Sequence, residues 1–139
     1  MDPQTALFES AKRGNDDDLV ELLSGEYKVD VNLPDALGNT ALHYAAAADH
    51  TKAAALLLGK GAKTETRNKQ QETPLHRAAA RGAFRTAKLL VFKGANLEAL
   101  DGNKQTPRAL AQKPELREVL TPGVEVKWEE QLAEDEDST

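Results

Sequence analysis

The sequence predicts an all-α fold, a solenoid of stacked helix–turn–helix units with projecting β-turn loops. Three observations predict it. A threonine recurs every 33 residues, at Thr40, Thr73 and Thr106. An alanine-rich segment follows each of the first two threonines, and then an apolar run that ends at Lys-Gly-Ala or Gly-Lys-Gly-Ala. Aromatic residues make up only 4% of the chain, so the core must consist mainly of alanine and leucine, which suits closely stacked helices.

The third unit shows how each unit is expected to fold. The hydroxyl of Thr73 can accept a hydrogen bond from an unpaired N–H of the first turn, which marks a helix start. Pro74 follows at the first helical position, where the missing N–H costs nothing. Gly82 is expected to end this first helix in the left-handed conformation. A second helix carries the larger apolar residues, Leu89 among them, and Gly94 ends it before the loop to the next threonine.

The segments Thr40-Ala-Leu-His-Tyr-Ala-Ala and Thr73-Pro-Leu-His-Arg-Ala-Ala resemble the ankyrin repeat. The resemblance extends over residues 4–120 and implies an ankyrin-repeat domain at 1–120. We expect repeats at about 4–34, 35–67, 68–100 and 101–120, of which the first and last are irregular and act as caps. Residues 121–139 form an acidic C-terminal tail, which we expect to be partly disordered.

Three residues depart from the pattern of their own repeats. Asp49 stands where Gly14 and Gly82 stand in their repeats, although aspartate tolerates a left-handed backbone less well than glycine. Gln71 and Lys104 occupy the loop position that Gly38 holds in the second repeat. We therefore expect these two turns to differ in geometry from the turn at Gly38.

Composition excludes several classes of protein. The chain has no cysteine, which excludes a disulfide framework, a thiolate zinc site and a cysteine nucleophile, and which fits a reducing compartment. The N-terminal residues lack the pattern of a secretory signal, and no apolar run approaches the length of a membrane span. We therefore expect a cytoplasmic or nuclear protein without membrane association.

The candidate catalytic and metal-binding residues are few. The resemblance implies that His43 and His76 are structural, each bonded to the threonine of its own repeat and to the adjacent loop. His50 resembles the histidine that commonly follows the turn between the two helices. None of the serines lies in a nucleophile elbow, and no glycine-rich phosphate loop opens a helix. We expect no enzyme activity, no cofactor and no metal.

The resemblance also implies a binding surface, since partners of ankyrin repeats usually contact the concave face formed by loop tips and first helices. Carried over position by position, that face contains Lys12, Arg13, Leu37, Asn39, Arg67, Lys69, Gln70, Glu72, Arg81, Leu100, Asn103, Gln105 and Lys113. Six of these are basic and one is acidic. Such a surface, with two exposed leucines, would suit an acidic or amphipathic protein segment.

The tail carries seven acidic residues against one lysine, a net charge of −6, whereas residues 1–120 are close to neutral. Trp128, the only tryptophan, is expected to cover the exposed end of the last repeat. The alternative is a linear motif in which Trp128 and Leu132 anchor a partner. A third hypothesis is that the tail folds back over the basic concave face and competes with acidic partners.

We expect a monomeric, non-catalytic protein–protein interaction module, an adaptor, subunit or inhibitor that binds a protein segment on its concave face. The alternative is an acidic escort that shields a basic client, such as a ribosomal protein or a histone. Direct binding of nucleic acid is disfavoured by the net negative charge and by the lack of aromatic residues among the basic ones. No small-molecule substrate is indicated, and the partner's identity cannot be read from the fold.

Overall fold

The computed structural model describes residues 1–128, and within them all regular secondary structure is helical. Eight helices follow one another along the chain: α1 (Pro3–Arg13), α2 (Asp16–Leu22), α3 (Ala41–Ala47), α4 (Thr51–Gly59), α5 (Pro74–Arg81), α6 (Phe84–Phe92), α7 (Pro107–Leu110) and α8 (Pro114–Val119). The all-α fold is thereby confirmed. None of these helices is both long and apolar enough to cross a bilayer.

The helices form two layers. The odd-numbered helices pack against one another in chain order, the even-numbered helices do the same, and each odd-numbered helix packs against the helix that follows it. Fully buried leucines fill the space between the layers, among them Leu7, Leu19, Leu42, Leu57, Leu75 and Leu90. Buried alanine pairs at Ala45-Ala46 and Ala78-Ala79 let neighbouring helices of the first layer approach closely.

The starts of the first-layer helices confirm the role expected for the repeated threonines. The hydroxyl of Thr40 accepts from the backbone N–H of His43, and the hydroxyl of Thr73 accepts from that of His76. Pro74 occupies the first turn of α5. Gly82 ends α5 with φ 71°, the left-handed conformation that was expected there.

The expectation that the turns at Gln71 and Lys104 differ from the turn at Gly38 is wrong. All three residues are left-handed, with φ of 63°, 61° and 82°, respectively. Each of their N–H groups donates to the carbonyl of the residue three positions earlier, at 2.9–3.0 Å. The turn therefore keeps one geometry in all three loops, whichever residue occupies the left-handed position.

The side chain at the start of each loop explains this uniform geometry. Oδ1 of Asp35 accepts from the backbone N–H groups two and four residues later, at 2.9 and 3.0 Å. Asn68 and Asp101 make the same pair of bonds in the next two loops, at 2.9–3.0 Å. Two bonds to one oxygen fix the turn strongly enough to hold a non-glycine residue at positive φ.

The C-terminal segment does not follow the expectation for Trp128. The chain turns at Gly123, with φ 86°, and residues 124–127 line a cleft between α6 and α8. Trp128 then lines a cleft between α4 and α6 and packs against the apolar core from outside. It lies against the second and third helix pairs because the apolar side chains exposed by the second layer, such as Phe92, lie there and not at the end of the stack. Leu132 lies outside the described residues.

Candidate protein-binding surface

Three loops, at residues 35–39, 68–72 and 101–105, precede the first-layer helices and are bonded to one another in series. The backbone N–H of Lys69 donates to the carbonyl of Leu37 at 3.1 Å, and that of Gly102 donates to the carbonyl of Gln70 at 3.0 Å. A Cβ at Gly38 would lie 2.7 Å from the amide nitrogen of Lys69, so the approach requires glycine. The loops therefore form one continuous surface.

Two buried histidines hold these loops against the helices, which confirms the structural role expected for them. Nδ1 of His43 accepts from the N–H of Thr40 at 3.0 Å, so Nε2 carries the proton and donates to the carbonyl of Glu72 at 2.8 Å. His76 repeats the arrangement with Thr73 and with the carbonyl of Gln105, at 3.1 and 2.9 Å. Burial lowers the pKa of His43, with the hydrogen bond to the carbonyl of Glu72 acting in the opposite direction.

Three of the residues assigned to the binding surface are engaged in the fold. The guanidinium of Arg67 donates to the carbonyl of Gln71 and to the carbonyl of Leu100 in the next loop. Asn39 accepts from the side chain of Asn68 at 2.9 Å, and Asn68 also donates to the carboxylate of Glu72. These side chains connect one loop to the next, which leaves them less available to a partner.

The other assigned residues are exposed. Leu37 keeps 63% of its surface exposed in the first loop, and Leu100, directly before the third loop, keeps 49%. Exposed residues between and around them include the cationic Lys69 and Arg81. The remaining exposed members of the set are Lys12, Arg13, Gln70, Asn103, Gln105 and Lys113.

The basic charge of this surface is smaller at its N-terminal end than the sequence suggested. The carboxylate of Glu9, which was not included in the set, lies 3.3 Å from the ammonium of Lys12 and 3.9 Å from the guanidinium of Arg13. Both pairs are exposed and contribute little to stability, but they offset the two cations. Within residues 1–128, the basic charge of the assigned set that no carboxylate offsets therefore lies at Arg67, Lys69, Arg81 and Lys113.

Tyr44 is a member of this surface that was missed. Its ring lies edge-on to Phe8 with centroids 6.2 Å apart, and the ammonium of Lys12 lies 4.6 Å from its ring centroid. Its hydroxyl donates to the carboxylate of Asp35, and partial burial followed by this bond raises the pKa of Tyr44. Arg77, 33 residues later, holds the same position in its repeat and lies 3.9 Å from the carboxylate of Glu72. The sequence offered a signal for these two residues, because Tyr44 and Arg77 each directly follow a repeated histidine.

The side chains of this surface are either committed to the fold or exposed to solvent. The ring nitrogens of the two buried histidines are committed to backbone and threonine partners. Across residues 1–128, no three histidine, aspartate or glutamate side chains come close enough together to hold a metal ion. What the loops and first helices present to solvent is a set of leucine, amide and cationic groups on a fixed backbone.

Comparison with known proteins agrees with the repeated helix pairs of the structure. A family model described as ankyrin repeats, in three copies, matches residues 3–111. Neurogenic locus notch homolog protein 1 from Homo sapiens is 38% identical over 73 residues, which is 52% of this chain and 3% of that protein. Oxysterol-binding protein-related protein 1 from Homo sapiens is 40% identical over 68 residues, and inversin from Danio rerio is 31% identical over 74. These regions are 49% and 53% of this chain, respectively, and the chain spans only 7% of the length of either protein.

Proposed function

Because the chain belongs to the ankyrin-repeat family, whose repeats generally mediate protein–protein interaction, we propose that it is a non-catalytic adaptor, subunit or inhibitor. It binds a segment of another protein on the surface formed by its loops and first-layer helices. The relatives' own partners do not identify the one bound here, since one fold supports many specificities.

The observation that supports this proposal is the pair of leucines displayed on the bonded loops. Leu37 and Leu100 are exposed although the fold buries other leucines completely. The backbone N–H of Leu37 donates to the carboxylate of Asp35, and the carbonyl of Leu100 accepts from the guanidinium of Arg67, so side chains fix the backbone at both positions. Apolar side chains on a preorganised backbone lose little conformational freedom when a partner covers them, which favours binding.

The charges indicate the chemistry of the partner. Lys69 lies on the loop between the two leucines, and Arg81 lies at the end of α5 in the same layer. An acidic, amphipathic segment would place apolar side chains on Leu37 and Leu100 and carboxylates near the two cations. A single small module of this kind provides about 600–1,000 Å² of contact on its own side.

Affinity purification with the full chain, followed by binding measurements on the recovered proteins, tests the proposal. Leu37→Asp combined with Leu100→Asp should reduce the affinity for the partner at least about tenfold, because each apolar contact at the centre of an interface contributes roughly 1–2 kcal/mol. Lys69→Glu combined with Arg81→Glu should weaken binding most at low salt. The melting temperature should stay near that of the wild type in both variants, since the four side chains are exposed.

The matched control reverses Lys28 and Lys93 to glutamate, which changes the net charge equally with two exposed residues outside the loop surface. This control variant should bind the partner with the affinity of the wild type. If the control and the loop variants lose the partner to the same extent, net charge governs binding and the proposed surface is wrong.

The acidic-escort function is supported by a separate observation, the net charge of −6 on residues 121–139. An escort of this kind would recover mainly very basic proteins, and removal of residues 129–137 would abolish their recovery. The escort function predicts basic partners, whereas the loop surface predicts an acidic one. One purification with the loop variants and the tail deletion therefore separates the two functions.

A further inference from the structure

The second layer of helices carries an open cleft between α4 and α6. The cleft has a volume of about 850 Å³. Its apolar walls come from both helices, from the loop after α4 and from the C-terminal segment, namely Ala55, Leu58, Ala62, Leu89, Phe92 and Trp128. Clefts of about 300–1,000 Å³ commonly hold a ligand, so this one has room for a few side chains of a peptide.

Two aromatic side chains of this cleft are partly open to solvent. Phe92, the last residue of α6, keeps 50% of its surface exposed. Trp128 is half-buried and packs against the apolar core. The two rings therefore line a cleft that neither of them fills. Large aromatic side chains contribute much of the binding energy at protein interfaces once a partner covers them.

Lysine side chains stand beside these rings. Lys63 and Lys93 line the cleft, and both are exposed. The ammonium of Lys93 lies 5.8 Å from the centroid of the Phe92 ring. Within residues 1–128, neither ammonium forms an ion pair. The dipole of α6 accounts for a lysine directly after that helix, but it does not account for Lys63.

The charge of the cleft and of its two helices is positive. Glu65 is the one acidic residue among the described residues that line the cleft. Its carboxylate accepts from the backbone N–H of Asn96 at 3.1 Å and so links two repeats. The helices α4 and α6 contain no acidic residue, and they add three cations, Lys52, Arg85 and Lys88.

The ends of the second layer have the opposite charge. Four acidic residues and no basic residue lie on α2, and α8 carries two acidic residues and one arginine. The screening length at physiological ionic strength is about 8 Å, and packed helices lie about 8–10 Å apart. A segment that lies over α4 and α6 therefore meets mainly their cations, whereas a basic segment would be attracted to the two ends of the layer.

We propose that the cleft between α4 and α6 binds an acidic segment of another protein, which inserts an aromatic or large aliphatic side chain between Phe92 and Trp128. Carboxylates of that segment face Lys63 and Lys93. This second-layer site is separate from the loop surface and does not rest on the function proposed for it. With both sites occupied, the chain would hold one partner on each layer, as an adaptor does.

Trp128 is the only tryptophan, so its fluorescence in the full chain reports on occupancy of the cleft. The probe is the synthetic peptide Asp-Glu-Glu-Phe-Leu-Glu-Asp-Glu, which contains no tryptophan. Its binding should shift the emission of Trp128 to shorter wavelength, because the bound peptide excludes water from the indole. Replacement of its Phe-Leu pair by serines should weaken binding at least about tenfold. A peptide with lysines in place of the acidic residues should give no shift.

Variants of the chain test the aromatic wall and the cations separately. Phe92→Ala should lower the affinity for the peptide about tenfold. Tyr27→Ala, at an aromatic residue of the second layer that is exposed away from this cleft, is the matched control and should not lower it. Lys63→Glu combined with Lys93→Glu should lower the affinity roughly tenfold at low salt and less at high salt. Lys69→Glu combined with Lys113→Glu makes the same change in net charge on the loop surface and should leave the shift unchanged.

Three results would overturn the proposal. The first is a wild-type chain whose Trp128 emission does not respond to the peptide. The second is an equal loss of affinity after charge reversal in the cleft and on the loop surface, in variants whose melting temperatures match the wild type. The third is a dimer that forms without peptide and is abolished by Phe92→Ala in sedimentation measurements, which would assign the cleft to a second copy. Failure of the loop variants to lose their own partner would contradict the proposed function and leave this response intact.

Discussion

The carboxylate of Asp49 caps a helix of the next repeat through Thr86. Its Oδ1 accepts from the backbone N–H of Thr86 at 3.0 Å and from the hydroxyl of Thr86 at 2.8 Å. Thr86 lies in the first turn of α6, and Ala83, the residue before that helix, provides no side-chain cap. Aspartate occupies this left-handed position, φ 57°, in place of glycine because its carboxylate supplies the cap that Ala83 of the next repeat lacks.

Two substitutions at Asp49 should therefore separate the stability that the cap contributes from the cost of the left-handed backbone. Asp49→Ala loses the cap and keeps a side chain at positive φ, so unfolding in urea should show a loss of about 2 kcal/mol. Asp49→Gly loses the cap and relaxes the backbone, so its loss should be smaller by about 1 kcal/mol. Glu26→Ala, an exposed acidic residue in a loop, serves as the control. Equal losses for alanine and glycine would contradict this explanation.

Protonation of His43 should destabilise the fold. The pKa of His43 is lower in the folded protein than its usual value of 6.5, mainly because the ring is buried. On acidification the unfolded chain takes up the proton first, so this contribution to stability is complete above about pH 6.5 and declines as the pH falls through the folded-state value. Protonation would also remove Nδ1 as the acceptor for Thr40.

The measurement is the free energy of unfolding between pH 7 and pH 5 for the wild type and for His43→Gln. The variant should be less stable at pH 7, and its stability should change less over this range. A variant whose pH profile runs parallel to that of the wild type would show that His43 does not contribute to the acid sensitivity.

Glycine at position 71 should stabilise the protein. Gln71 has φ 63°, which costs a non-glycine residue about 1–2 kcal/mol, partly offset by the greater freedom of glycine in the unfolded chain. Gln71→Gly should therefore raise the free energy of unfolding by about 0.5–1 kcal/mol. Gln70→Gly, at an adjacent exposed residue without a positive φ, should lower it. A gain of similar size at both positions would contradict the explanation, because Gln70 has no positive φ to relieve.

Arg67 should contribute to the stability of the fold. Arg67→Ala removes two charge-assisted bonds, to the carbonyls of Gln71 and Leu100, so the protein should lose about 1–3 kcal/mol of stability and the loop at 101–105 should exchange its amides faster. Lys69→Ala, at an exposed neighbour, should leave stability within about 0.5 kcal/mol of the wild type. A loss of stability at Lys69 equal to that at Arg67 would refute this difference.

Much of the fold could be predicted because its determinants are local. Thr73, Pro74 and Gly82 lie within one helix and its ends, and each acts on backbone groups a few residues away. The loop residues Asp35, Asn68 and Asp101 follow the same 33-residue spacing as the threonines, so their role was also within reach of the sequence.

The parts that could not be predicted depend on packing between repeats. Asp49 and Thr86 are 37 residues apart, and only the stacking of two helix pairs brings them together. The position of Trp128 depends on which part of the second layer exposes apolar surface. The pairing of Glu9 with Lys12, by contrast, joins residues three apart on α1 and was within reach of the sequence. The exposure of Leu37 and Leu100 agrees with the sequence, whereas their function as a binding surface stays a prediction.

The histidine links have a consequence for how the chain can change in length. His43 and His76 each reach a carbonyl 29 residues later, and each link joins only adjacent repeats. Loss of one residue between Thr40 and Glu72 would move the carbonyl away from its donor. Gain or loss of an entire repeat of this kind would leave a donor opposite an acceptor at the junctions that these histidines join, so such a module can be added or removed there without redesign of the link.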